Sequence, residues 1–143
     1  MLRKMYPAEE IHSGRKSFNE YLVRMKLQFK FFFNALYRLD RALKLNRKSA
    51  LVRGNRGMVL SQLGHEDEAL AEYERALAIA PKNPIIWANL GNTLERLGRY
   101  PASLEALERS LSLDPASATT HYNRGVNLAR LNRHHEALVA FEY

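Results

Sequence analysis

A spacing of 34 residues governs most of this chain. Gly57, Gly91 and Gly125 stand 34 apart, and so do Leu60, Leu94 and Leu128. Tyr73, Leu107 and Phe141 keep the same step, as do Gly64, Gly98 and Asn132, and Pro81 with Pro115. Agreement at so many positions means that one helix–turn–helix unit is repeated. The stretch from Pro84 to Pro115 shows its elements. Trp87, Leu90, Gly91 and Leu94 fall at the three- and four-residue intervals of one helix face, and Leu97-Gly98 ends that helix. Leu104, Leu107, Leu111 and Leu113 form the stripe of a second helix from Tyr100 onward. Asp114-Pro115 closes it, because the residue before a proline is pushed out of helical geometry. Helices this short are marginal alone in water, so each must bury its stripe against a neighbouring copy.

The pattern of Trp87, Leu90-Gly91, Tyr100, Leu107 and Pro115 is matched one unit earlier by Gly57, Leu60, Ala69, Tyr73, Ala76 and Pro81. It resembles the tetratricopeptide repeat family in detail, from about Ser49 to Tyr143. The resemblance implies an all-α fold, an α-solenoid of antiparallel helix pairs wound as a right-handed superhelix. The expected divisions are a loose leader over residues 1–15 and a degenerate basic repeat or N-terminal cap over 16–49. Full repeats follow over 50–83 and 84–117, and a third over 118–143 is truncated in its second helix. In the degenerate unit Val23 stands where the small glycine should be, and Phe29-Lys30 replaces Leu-Gly at the turn. Its two helices are therefore spaced differently from the others or run together as one. The recurrent glycines mark the closest approach of paired helices. Ala69, Ala76 and Ala137, with Ser103 and Ser110 as small substitutes, repeat that requirement on the second helices.

Charge divides the chain at the same place. Residues 1–48 hold twelve Lys or Arg and four Asp or Glu, a net of +8, whereas residues 49–143 hold ten and eleven, a net of −1. The basic part is rich in aromatics, with Phe29, Phe31, Phe32, Phe33 and Tyr37 among Lys26, Lys30, Arg38, Arg41 and Lys44. Such a segment can attract nucleic acid or an acidic partner. The structural expectation is that the phenylalanines plug the open end of the core and the basic residues solvate its outer face, so nucleic acid is not the expected partner.

Little supports catalysis. The chain has no cysteine, which removes disulfides, thiolate metal sites and cysteine nucleophiles together. Among the five histidines only His134-His135-Glu136 forms a cluster. It lacks the four-residue interval of a helical zinc site and reads as a surface turn. Gly54 to Gly57 lies within a helix and follows no strand, so it is not a phosphate loop. Adjacent Glu66, Asp67 and Glu68 suit a helix N-terminus. Neither a signal peptide nor a run of ~20 apolar residues occurs, and a soluble cytoplasmic protein without cofactor or metal is expected.

Binding has a sharper candidate. Asn55, Asn89 and Asn123 also step by 34, each two residues before its glycine. By the family resemblance this position faces the concave groove. The ladder is similar to that of O-linked N-acetylglucosamine transferase-like bacterial proteins, where it holds an extended peptide. Asn55-Arg56-Gly57, Asn123-Arg124-Gly125 and the closing RHHEAL strengthen that likeness. A carboxamide donates and accepts, so it can satisfy a peptide bond at both ends. The alternative is that these asparagines tie neighbouring helices together. A clamp for a terminal carboxylate, as in chaperone-tail-binding members of the family, is not expected. Its first-repeat places hold Gly54 and Met58 and its third-repeat places Thr119 and Asn123, so Asn89 alone fits. The expected function is a non-catalytic protein–protein interaction module that binds an extended peptide or partner helix. The alternative is the substrate-recruiting N-terminal part of a larger glycosyltransferase-like protein. The open C-terminal end adds the possibility of self-association.

Overall fold

A computed structural model describes the backbone of residues 8–143 and side chains from residue 18, and these residues form seven helices. They are α1 (Ala8–Leu45), α2 (Ala50–Gln62), α3 (Glu66–Ile79), α4 (Pro84–Arg96), α5 (Tyr100–Leu113), α6 (Ala118–Arg130) and α7 (His134–Phe141). Of the leader expected over residues 1–15, residues 1–7 lie outside the described residues and Ala8 already belongs to α1. The chain divides into two units, one ending at Ala35 and one running from Leu36 to Tyr143.

In the second unit α2 packs on α3, α4 on α5 and α6 on α7, and the pairs join through α3–α4 and α5–α6. This is the all-α solenoid of antiparallel pairs that the 34-residue step implies. The periodic side chains start and stop each pair. Ser49, Asn83 and Ser117 cap the first helices by accepting from the backbone N–H of Val52, Ile85 and Ile86, and Thr120. Gly64, Gly98 and Asn132 end them with positive φ of 82°, 72° and 60°. Each such end is closed by two bonds: Gly64 N–H to the Ser61 carbonyl and His65 N–H to the Leu60 carbonyl, with equivalents at Gly98-Arg99 and Asn132-Arg133. The second helices have no side-chain cap, and Glu66, Asp67 and Glu68 offset the first-turn dipole of α3.

A further recurrent device is chemical. Trp87 Nε1–H donates to the Pro81 carbonyl at 2.8 Å, and one step on His121 Nε2 meets the Pro115 carbonyl at 2.9 Å. One step earlier Arg53 donates to the Arg47 carbonyl from Nε at 3.2 Å and from Nη2 at 2.9 Å. Three different side chains thus fasten the turn that precedes each pair with the same N–H. Ser103 and Ser110 also do more than stay small. Their hydroxyls donate to the Gly91 and Pro84 carbonyls of α4, at 2.7 and 2.9 Å.

The degenerate region departs from a repeat. Its residues form one uninterrupted helix of 38 residues, with no turn at Phe29-Lys30. Within the first unit Phe29, Phe31 and Phe33 are exposed and Phe32 is half-buried. Leu36, the first residue of the second unit, packs against the cluster of Leu60, Tyr73, Ala76 and Ile86. Within the first unit the rings meet one another, Phe29 stacking on Phe33 at 6.5 Å and Phe31 meeting Phe32 edge-on at 5.7 Å.

Two polar networks sit inside the solenoid. Glu72 of α3 is buried and lies 3.2 Å from Arg53, 3.4 Å from Arg56 and 2.8 Å from Arg75, while Arg56 also reaches Asp40 of α1 at 2.7 Å. Between α2 and α4, Ser61 and Thr93 share a hydrogen bond of 3.1 Å, and Arg96 donates to Ser61 while pairing with Glu66. Tyr73 is 1% exposed, and desolvation pushes its phenol from 10 to about 12, against the opposing pull of Thr93 and Arg96. A raised pKa in the fold means that the unfolded chain loses this proton first. The stabilisation is complete below pH 10 and disappears as pH climbs toward 12, a loss of about 2–3 kcal/mol. Denaturant titrations at stepped pH should show this decline, and Tyr73→Phe should flatten it. An equal decline in the variant would assign the effect to other groups.

Candidate functional site

Contacts between alternate helices set the inner side of the solenoid. α2 touches α4 and α4 touches α6, whereas no comparable contact joins α3 to α5 or α5 to α7. The first helices therefore line the inside of the curve. Between α4 and α6 lies a cleft of about 190 Å³, walled by Ile85, Ala88, Asn89 and Asn92 on one side and by Thr119, Thr120 and Asn123 on the other. Ser110 and Asp114, at the end of α5, close its back.

Two of the three predicted asparagines, Asn89 and Asn123, meet in this cleft. Asn55 stands exposed on α2 and does not line it. Asn123 Nδ2 donates to Asn92 Oδ1 at 2.8 Å, so this carboxamide does tie α6 to α4. Asn89 and Asn55 make no side-chain hydrogen bond among the described residues, which leaves both ends of each amide free for a ligand. Asn92 is the member that the repeat register could not find, because its sister positions hold Met58 and Val126. Its signal is an amide at an otherwise apolar place, three residues after Asn89 and so on the same helix face.

The cleft is close to neutral. Asp114 is its one charged lining residue, and neither Lys nor Arg lines it. Amides and hydroxyls of this kind match the C=O and N–H of an extended backbone better than they match a charge. Ile85, 69% exposed at the cleft mouth, adds an apolar contact for one side chain of such a ligand.

The other sequence candidates resolve into structure. Glu136 is held by Arg133 through two bonds of 2.7 and 2.6 Å, which lower its carboxyl below the usual carboxylate range. The His134-His135-Glu136 cluster is thus the exposed first turn of α7, with Glu136 held by an ion pair to Arg133. Among the described residues no group of three or more His, Cys, Asp or Glu is placed to hold a metal, and no helix is long and apolar enough to cross a membrane.

Residues 60–98 match a family model described as a TPR repeat, and residues 89–143 match one described as a tetratricopeptide repeat. This is a tetratricopeptide-repeat protein. Among solved structures the tetratricopeptide solenoid is similar to the crystal structure of MamA, with a TM-score of 0.72 and 20% identity over 78% of this chain and 61% of that one. It is also similar to residues 41 to the end of MamA from Desulfovibrio magneticus RS-1, with a TM-score of 0.73 and 24% identity over 80% of this chain and 64% of that one. A third similar structure is the first tetratricopeptide domain of Spaghetti (RPAP3) bound to the HSP90 peptide SRMEEVD, with a TM-score of 0.65 and 23% identity over 66% and 75%. The chain thus spans 61% of the length of the first of these structures, and at such identities the likeness is one of fold. No curated protein sequence matches the chain.

Proposed function

We propose that this protein is a non-catalytic interaction module that holds an extended peptide along the inner face of α4 and α6. The observation that carries this reading is the convergence of Asn89, Asn92 and Asn123 in one near-neutral cleft, with Asn89 unengaged. Backbone-reading amides of this kind are what the likeness to the O-linked N-acetylglucosamine transferase superhelix implies for Asn55, Asn89 and Asn123. The RPAP3 domain holds an acidic peptide, SRMEEVD, but without a lysine or arginine in its lining this cleft suits a neutral segment better.

Replacing Asn89 and Asn123 together by Ala tests the reading, with Asn55→Ala, outside the cleft, as the control. Each lost amide contact should weaken capture of peptides from an immobilised library of neutral sequences by roughly 0.5–1.5 kcal/mol. Circular dichroism should stay nearly unchanged, since alanine has the better helix propensity. Unchanged capture with much earlier melting would make the asparagines struts and end the peptide reading.

A second contact surface is the outer face of α7. Leu138 is 64% exposed, whereas Leu104, one step earlier, is 7% exposed under the neighbouring pair. Self-association through this face is expected to appear in light scattering and to be lost in Leu138→Glu. A dimer unaffected by that change would place the contact elsewhere.

A further inference from the structure

The first unit carries an apolar ridge that none of its described residues covers. Along α1, Phe18, Leu22, Met25, Phe29 and Phe32 follow at alternating intervals of four and three residues, and the sequence continues the alternation through Leu36, Leu39 and Leu43. An average interval of 3.5 residues keeps a stripe aligned with a partner helix along its whole length. Leu36 has such a partner in the core cluster of the solenoid. Before Ala35 the ridge is open, with Phe18 60% and Phe29 47% exposed. By helical spacing Lys26 and Lys30 flank it on one side and Arg24 on the other, and residues 1–48 carry a net charge of +8.

We propose that the ridge from Phe18 to Phe32 docks an acidic amphipathic helix of another protein. The heptad period calls for a helix, and the flanking Lys and Arg call for Asp and Glu beside its apolar stripe. A second copy of this chain would instead bring one basic segment against another, since residues 1–35 hold seven Lys or Arg and three Asp or Glu, a net of +4. A lipid surface suits a helix with one apolar and one polar face. Here Val23, Leu27 and Phe31 form a second exposed apolar row at four-residue intervals on the opposite side, which fits burial among helices instead.

The test uses the full chain and a labelled three-heptad peptide with leucine at the core positions and glutamate at the flanks, which repels its own copies. Fluorescence anisotropy should show it binding about tenfold or more tighter than the same peptide with lysine flanks. Met25→Glu combined with Phe29→Glu should remove the binding, and the asparagine variants of the inner cleft should retain it. Lys26→Glu with Lys30→Glu should reverse the preference toward the lysine peptide, an outcome that an unfolded α1 could not give. Equal affinity for both peptides, or binding that survives Met25→Glu/Phe29→Glu, overturns the proposal. So does a dimer of the chain alone that this variant dissolves. Capture of phosphatidylserine vesicles or of a single-stranded oligonucleotide in place of the glutamate peptide overturns it as well.

Discussion

Glu72→Ala is expected to lower stability by about 3 kcal/mol, read as a drop of roughly 10 °C in Tm. Glu72 is 3% exposed and is the common partner of Arg53, Arg56 and Arg75. Its loss leaves the partly buried Arg53 and Arg56 without their shared carboxylate, whereas Arg75, 62% exposed, returns to water. Removal of one member of a buried ion pair costs about 3–5 kcal/mol, because the partner stays desolvated and unpaired. The lower end applies here, since the Arg53 and Arg56 side chains keep 18% and 23% of their exposure and can draw in water. Asp40 relieves Arg56 in part, at 2.7 Å but half-exposed itself. A loss under about 1 kcal/mol would show that the arginines relax to solvent and that the cluster is loosely held.

The next repeat supplies the control. Positions 53, 56 and 72 correspond to Trp87, Leu90 and Ala106, an apolar trio in the same scaffold. Replacing all three together, as Arg53→Trp, Arg56→Leu and Glu72→Ala, should therefore restore the parent's stability or exceed it. Well-packed apolar groups commonly equal or outdo a buried ion network. Trp at position 53 can also keep the turn fastened, as Trp87 does at the Pro81 carbonyl. A triple variant as unstable as Glu72→Ala alone would contradict this account.

Much of the solenoid could be read from the 34-residue step, because it is enforced by sterics that act on single residues. Gly64, Gly98 and Asn132 recur where φ is positive, and Ala69 and Ala76 recur where exposure is zero. The Glu72 network was hidden for the opposite reason. It occurs once, and its only mark is a carboxylate where the sister repeats carry Ala106 and Ala140. Asn92 escaped in the same way, since a cleft residue whose sister positions hold Met58 and Val126 leaves no periodic trace. In α1 the departures at Val23 and Phe29-Lys30 left two outcomes open, two respaced helices or one long one. The 3.5-residue spacing of Phe18, Leu22, Met25, Phe29 and Phe32 agrees with the single long helix observed. Of the three asparagines in register, two line the α4–α6 cleft. Register located Asn89 and Asn123, but only the packing of α4 against α6 shows that Asn123 already spends one donor on Asn92.

Gly91→Leu should destabilise the fold by about 3 kcal/mol, and the three recurrent glycines should not respond alike. A Cβ at Gly91 would stand 2.8 Å from Leu107 Cγ and 3.2 Å from the Ser103 carbonyl oxygen, and Leu107 is fully buried. Neither neighbour can yield, so even alanine overpacks the α4–α5 contact. At Gly57 the same atom would meet the Tyr73 ring at 2.6 Å, and that ring is also immobilised by burial. Gly125 is tighter on paper, at 2.5 Å from Phe141, yet Phe141 is 45% exposed on the last helix and can swing outward. Exchanging Gly for Ala inside a helix returns about 1 kcal/mol through propensity. For Gly57→Ala and Gly91→Ala the overpacking of about 1–3 kcal/mol should exceed that return, leaving a net loss near 1 kcal/mol. For Gly125→Ala the propensity gain should prevail, leaving stability equal or slightly raised. Thermal denaturation of the three alanine variants decides it. Equal Tm changes at all three positions would mean that helix propensity, and not the rigidity of the opposing side chain, governs these sites.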